Sequence, residues 1–253
     1  MILFLLPARD YDPTESAVPW AALRGAGIPV RFATPEGRVA LADERLVDQG
    51  FSILSPLLMT RSDALRDYDR MREDPDFQSP LAYSDVVDSE VSGVVVPGGH
   101  APGMKSMLES TTAQDIFGRA LLTGKPVAAV CHGVLLAARA KDPEAGRSVL
   151  YDRRTTAVTA TLELSAWNLT RLRLGNYYRT YPQTVQAEVT AALRDPRQFV
   201  RGPLFPQRDT ATNLNRGFTV HDRNYLSARW PGDCHRLAAE YRDLVLEYRS
   251  AAH

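Results

Sequence analysis

Short apolar runs recur along the chain, separated by stretches with helical spacing. The runs at residues 2–6, 30–33, 93–96, 127–130 and 155–159 are continuous and mostly rich in β-branched side chains, the pattern of central parallel strands covered on both faces. Between them, residues 16–26, 112–122 and 133–140 read as helices, the last starting directly behind a strand. Strand, helix, strand in repetition is βαβ order, and it predicts an α/β fold built on a doubly wound parallel sheet. Near the end, residues 218–221 and 225–228 flank Asp222-Arg223-Asn224 as a β-hairpin would, and residues 234–248 predict a closing helix.

Two stretches break the alternation. Residues 51–83 carry charged helical turns among Pro56, Pro75 and Pro80. Residues 163–216 hold Trp167, Tyr177, Tyr178, Arg179 and Tyr181, a Pro182-led helix, and a loop rich in Pro, Gly, Asn and Thr. Both are expected to cap a pocket of one domain spanning residues 1–253.

Composition narrows the function classes. With 253 residues, 44% hydrophobic and 24% charged, the chain has ordinary globular make-up. Thirty basic residues balance thirty acidic ones, so no charged field recruits nucleic acid or an anionic membrane. The opening run stops at Pro7, too short for a signal core or a membrane span. Two cysteines, Cys131 and Cys234, form neither a disulfide framework nor a zinc motif. A cytoplasmic protein without a cofactor or metal, acting on a small molecule, is the expectation.

The chemistry concentrates at Ala129-Val130-Cys131-His132-Gly133. A buried strand runs into Cys131 and a helix starts at once behind it, with Gly133 allowing the close approach of a sharp turn. Such an elbow sets a thiol at a helix N-terminus, where the dipole favours thiolate. Pro97-Gly98-Gly99-His100 ends another strand. The backbone N–H groups of Gly98 or Gly99, with that of His132, would form an oxyanion hole.

These segments, with Glu15-Ser16-Ala17-Val18-Pro19 and Ser227-Ala228-Arg229-Trp230-Pro231-Gly232, resemble the ThiJ/PfpI superfamily, relatives of the class I glutamine amidotransferases with their flavodoxin-like sheet. The resemblance implies that Glu15 hydrogen-bonds the cysteine and tunes it; the residues alone would make Glu15 a first-turn glutamate capped by Thr14 or Asp12. The pattern is most similar to the heat-shock chaperone and glyoxalase III branch, whose triad implies Cys131, His132 and an acid after the next strand. Glu163, 32 residues beyond Cys131, matches that acid in order and spacing, and would fix the His132 tautomer. His100, Tyr177, Tyr178 and Arg179 are the expected pocket lining. A metal on His100 with Glu15 or His132 has no support from spacing. Arg229 and Asp233 flank a turn as an internal ion pair would.

The branch implies a cofactor-independent cysteine enzyme that converts a 2-oxoaldehyde to a 2-hydroxy acid. The same thiolate would also serve an amide or isonitrile hydrolase or hydratase, and the chain would otherwise act as a chaperone or redox sensor through oxidation of Cys131. Members often pair, which implies a homodimer with the apolar stretch 51–59 available to its interface.

Overall fold

The computed structural model describes residues 1–251. The chain runs β1 (Ile2–Leu5), β2 (Arg9–Tyr11), α1 (Pro13–Gly25), β3 (Val30–Thr34), β4 (Leu41–Ala42), α2 (Ser55–Leu58), α3 (Ser62–Glu73), α4 (Pro75–Gln78), β5 (Leu81–Ala82), β6 (Gly93–Val96) and α5 (Lys105–Leu108). It continues through α6 (Thr111–Leu122), β7 (Val127–Val130), α7 (Gly133–Arg139), α8 (Ala160–Leu174), α9 (Val185–Ala192), β8 (Thr219–Asp222), β9 (Tyr225–Ala228) and α10 (Cys234–Ala251).

Seven strands form one sheet in the order β5-β3-β1-β6-β7-β9-β8. All neighbours run parallel except β8, which returns antiparallel beside β9 as the hairpin pattern predicts. The strands β1, β6, β7 and β9 are buried at every residue, which explains the unbroken apolar runs of β1, β6 and β7: helices cover both faces, so neither needs polar side chains. One layer packs α1 against α3 and α10, and the other packs α7 against α6 and α9. The fold is the expected doubly wound α/β architecture, with β2 and β4 forming a separate two-stranded ribbon.

Strand order reverses at β1, which has β3 on one side and β6 on the other. Carboxyl ends of strands at such a reversal border a crevice. Here the crevice receives the start of α1 after β1, the Gly98-Gly99 turn after β6 and the elbow after β7.

Three expectations are corrected. Residues 155–159 are not a sheet strand: Thr155 exchanges backbone hydrogen bonds with Gln198 and Val200, and Thr159 caps α8 through its side chain. Ser227 Oγ on β9 accepts from Thr156 N at 3.0 Å, and β9 itself fills the place beside β7. Within 51–83, α3 is no cap; Ala64, Tyr68 and Met71 are buried where it lies along α1 as part of a helical layer. The helix at 16–26 begins earlier, at Pro13, because the Asp12 side chain accepts from Thr14 N and Glu15 N.

The remainder of 51–59 does join the cap, where Phe51, Ala101 and Tyr178 form a small apolar cluster with Leu54, Leu58 and Tyr177 packed against it. Arg229 and Asp233 make the expected internal pair, bidentate at 2.9 Å with both side chains at most 1% exposed. Asp233 also accepts from Phe218 N, so the pair ties β9 and the segment before β8 to the start of α10.

Candidate active site

Cys131 sits between β7 and α7 with φ 55°, one of four non-glycine residues with positive φ among the described residues. That conformation is costly for a side chain with a Cβ and marks a strained elbow. Its amide donates to Ala228 O on β9 at 3.0 Å, which pins the turn to the sheet. A Cβ at Gly133 would approach Val96 O at 2.6 Å and Pro97 O at 2.7 Å, so no larger residue fits behind Cys131. A Cβ at Gly98 would meet His132 N at 2.7 Å and the Glu15 carboxylate at 2.8 Å. Both glycines are required by close approach of backbone.

Around the thiol, Sγ lies 3.6 Å from His132 Nδ1 and 3.7 Å from His100 Nε2. The two imidazoles meet edge to face with centroids 4.5 Å apart. Across His132, Nε2 faces Thr180 Oγ1 at 3.4 Å, and that hydroxyl donates to His100 O at 2.6 Å. With its proton committed to the carbonyl, Thr180 Oγ1 can only accept from His132, so Nε2 carries the hydrogen and Nδ1 turns a lone pair to the thiol.

Glu15 is fully buried at the start of α1, where Oε2 accepts from Gly98 N at 2.7 Å. Its other oxygen has no hydrogen-bond partner, and the carboxyl group adjoins the Cys131 thiol. The Gly98 N–H is therefore spent on Glu15 and is no oxyanion donor, which corrects the expected hole. Gly99 and His132 keep their place beside the elbow.

The structure does not bring Glu163 to His132. Its Oε1 accepts from Arg179 Nη1 at 2.6 Å and its Oε2 from Val185 N at 2.8 Å. Glu163 thus staples α8 to the cap loop and to α9, and Arg179 is held in that ion pair rather than turned to the crevice. Thr180 stands where the triad acid was expected. Tyr178 is 5% exposed; its hydroxyl donates to Asp43 Oδ2 at 2.7 Å, and its ring packs on Phe51, Tyr177 and His100. Tyr177 lies under the Arg45 guanidinium, 5.5 Å from its centroid. Neither Thr180 nor Asp43 carries a motif, since in a sequence one hydroxyl in a loop and one carboxylate after a two-residue strand look like any solvated side chain.

A sequence model described as ThiJ/PfpI family-like matches residues 6–203. The chain belongs to the ThiJ/PfpI family. It is 26% identical over 153 residues to a glutathione-independent glyoxalase of Schizosaccharomyces pombe, covering 57% of this chain and 58% of that one. An uncharacterized protein of Archaeoglobus fulgidus is 42% identical over 133 residues, covering 53% and 61%. The chain thus spans less than two thirds of these curated relatives. Among solved structures, glyoxalase III from Candida albicans superposes with a TM-score of 0.69 at 17% identity, covering 96% of each chain. A Francisella tularensis rapid encystment protein gives 0.69 at 13%, covering 96% and 98%. Likeness at that identity speaks for the fold.

In this ThiJ/PfpI protein the electrostatics differ from the simple elbow argument. Burial, then the Glu15 and Asp12 carboxyl groups, push the Cys131 thiol well up, and only the His132 N–H opposes them. Burial, then His100, push His132 well down, and burial holds His100 at about 4. Burial and Asp12 likewise raise Glu15 well above the carboxylate range. The expected resting thiolate is corrected to a neutral thiol against a neutral imidazole, because no solvent reaches Cys131 and α7 is only seven residues long. Such a pair can make the thiolate on demand, by proton transfer to Nδ1 were an electrophile to arrive.

The site is closed. Cys131 and Glu15 are 0% exposed and His132 1%, while His100 alone keeps some accessible surface. A cleft of 240 Å³ between the Phe51 segment and α8, lined by Arg45, Phe51, Leu54, Leu169 and Arg173, lies on the outer side of the aromatic cluster. A small molecule reaches Cys131 only after a side chain around it moves, and Tyr178, packed on His100, is one that borders the site.

Proposed function

We propose that this chain is a cofactor-independent glyoxalase that converts a 2-oxoaldehyde such as methylglyoxal to its 2-hydroxy acid in the cytoplasm. The reading rests above all on Cys131 Sγ facing His132 Nδ1 at 3.6 Å inside a buried site. The glutathione-independent glyoxalase among its relatives supports the same substrate class. Sγ attacks the aldehyde carbon while Nδ1 takes the thiol proton and passes it to the new alkoxide oxygen, giving a hemithioacetal and a neutral imidazole. The imidazole then removes the hydrogen from that carbon and returns a proton to the adjacent ketone carbon. This internal redox exchange leaves a thioester, which water cleaves to the acid and free thiol. Glu15, held neutral, is placed to donate toward the oxygen or sulfur that gains charge.

Lactate formation from methylglyoxal without glutathione, followed by proton NMR for the wild type, Cys131→Ser and His132→Ala, tests the reading. Turnover in the wild type and loss to background in both variants is the expected result. Equal turnover in Cys131→Ser, or none in the wild type, would sink it. The hydrolase alternative draws less support, because Gly98 N–H is already occupied by Glu15. The chaperone alternative draws on exposed Ile53, Leu172 and Phe205, at 86%, 94% and 84%, and requires suppression of aggregation at stoichiometric ratios.

A further inference from the structure

The cleft between the Phe51 segment and α8 has a make-up that the elbow chemistry does not use. Its floor is apolar, built by Phe51, Leu54, Leu169 and Leu174, and Leu169 stays 46% exposed at the rim. Arg45 comes from the Phe51 side and Arg173 from α8, and no carboxylate lines the cleft. Among the described residues neither guanidinium has an ion-pair partner, and Arg45 only stacks on the Tyr177 ring, 5.5 Å from its centroid. Two unpaired guanidinium groups beside an apolar floor suit a ligand that carries its charge at one end. The planar fork matches a carboxylate bidentately, and an apolar body gains from leaving water. At 240 Å³ the cavity falls below the roughly 300–1,000 Å³ that drug-sized ligands fill, so that body is compact, an alkyl chain or a single ring. We propose that this cleft is a regulatory site for a small amphipathic carboxylate, and that the bound ligand holds the cap closed over Cys131.

The wall between this cleft and the thiol is aromatic. Phe51 lines the cleft, its ring lies 5.6 Å from that of Tyr178, and Tyr178 packs on His100 at 6.1 Å. Arg45 reaches the same ring by a second path, through Tyr177, which meets Tyr178 edge to face at 5.0 Å. A ligand seated on Phe51 and paired with Arg45 therefore buttresses both aromatic neighbours of Tyr178, the side chain that borders the buried site. Ser52, also in the lining, holds φ 57°, a strained conformation of the kind that gathers at ligand clamps. A ligand that binds the closed cap and not the open one reduces the open fraction by the factor 1 + [L]/Kd. Reagents that reach Cys131 through the open form are slowed in the same proportion.

Calorimetric titration of the full chain with octanoate should give one equivalent bound. 1-Octanol, which lacks the charge, and acetate, which lacks the apolar body, should bind at least tenfold more weakly. Arg45→Gln and Arg173→Gln should each lower octanoate affinity at least fivefold, with circular dichroism confirming that both variants fold. At ten times the wild-type Kd, octanoate should slow iodoacetamide labelling of Cys131 about elevenfold in the wild type and about threefold or less in Arg173→Gln. Absence of a bound equivalent, or wild-type affinity in both folded variants, would overturn the site. Labelling unchanged at saturation would overturn its coupling to the cap. Octanoate that dissociates a dimer in sedimentation runs would assign the cleft to a second copy of the chain and overturn the proposal. Neither readout uses turnover, so a protein inactive on methylglyoxal leaves the site standing, and failure to bind octanoate leaves the glyoxalase reading standing.

Discussion

At the level of single residues, the unexpected partner of His132 is a hydroxyl. Thr180 Oγ1 is locked as an acceptor by its own bond to His100 O, and a locked acceptor selects one imidazole tautomer without adding charge to a buried site. A carboxylate in that place would hold the imidazolium; a threonine holds the neutral base. Thr180→Val keeps the shape and removes the acceptor, and should lower kcat by roughly tenfold to a hundredfold with KM little changed, part of the larger contribution of a positioned acid–base group. Thr180→Ser should restore most of the rate, and kcat/KM against pH for the three proteins checks it. A rate in Thr180→Val equal to wild type would mean that the tautomer is set elsewhere. The sequence made Cys131, His132, Gly98 and Glu15 legible because each lies at a strand end or helix start where backbone geometry leaves a trace. Glu163 was misassigned because order and spacing say nothing of which way a side chain faces once a cap loop folds back, and here it faces Arg179 and Val185 N.

At the level of elements, the cap loop is fastened at several points, among them Thr180 to His100 O, Arg179 to Glu163 and Tyr181 to Arg139 and Glu109. The Tyr178 hydroxyl to Asp43 is the polar fastening beside His100, and the contacts of Tyr178 with Phe51 and His100 are the apolar one. Tyr178→Phe keeps the ring and removes the hydrogen bond, leaving the Asp43 Oδ2 acceptor without its donor. Loss of one such bond is worth about 1 kcal/mol, so the open fraction and the labelling rate of Cys131 should rise about fivefold, read by mass spectrometry of alkylated protein at fixed pH. An unchanged rate would place the entry elsewhere on the cap. Elements were legible where both faces are covered, as in β1, β6 and β7. They were not at residues 155–159, whose strand-like threonines bond to Gln198, Val200 and Ser227 outside the ladder. Nor was it visible that α3 belongs to a helical layer, since a charged amphipathic helix looks the same over a cap as over α1.

At the level of the whole molecule, the buried cap fastening makes stability depend on pH. Burial raises Asp43 from 3.8 to about 6, against the Tyr178 and Arg45 N bonds that pull it down. Between those values the folded chain holds a proton that the unfolded chain has released, so the Asp43 contribution is full below pH 3.8 and is lost as pH rises through 6. At neutral pH the ionised, buried carboxylate then costs about 3 kcal/mol relative to its protonated form. Asp43→Asn cannot ionise, so its stability relative to wild type should improve from pH 4.5 to pH 7, whatever fixed offset the lost hydrogen bond brings. Urea denaturation of both proteins across that range measures the difference, and parallel curves would show that Asp43 titrates normally.

The amide of Cys131 is held by Ala228 of β9, a strand that the ribosome delivers well after the elbow it locks. A nascent chain that has not reached residue 225 carries β7 as an open edge, without the neighbour that locks the elbow into positive φ. Such an edge invites pairing with other chains. The β8–β9 hairpin therefore covers the β7 edge with the same strand that accepts the Cys131 amide, so the open edge and the unlocked elbow are closed by one docking step.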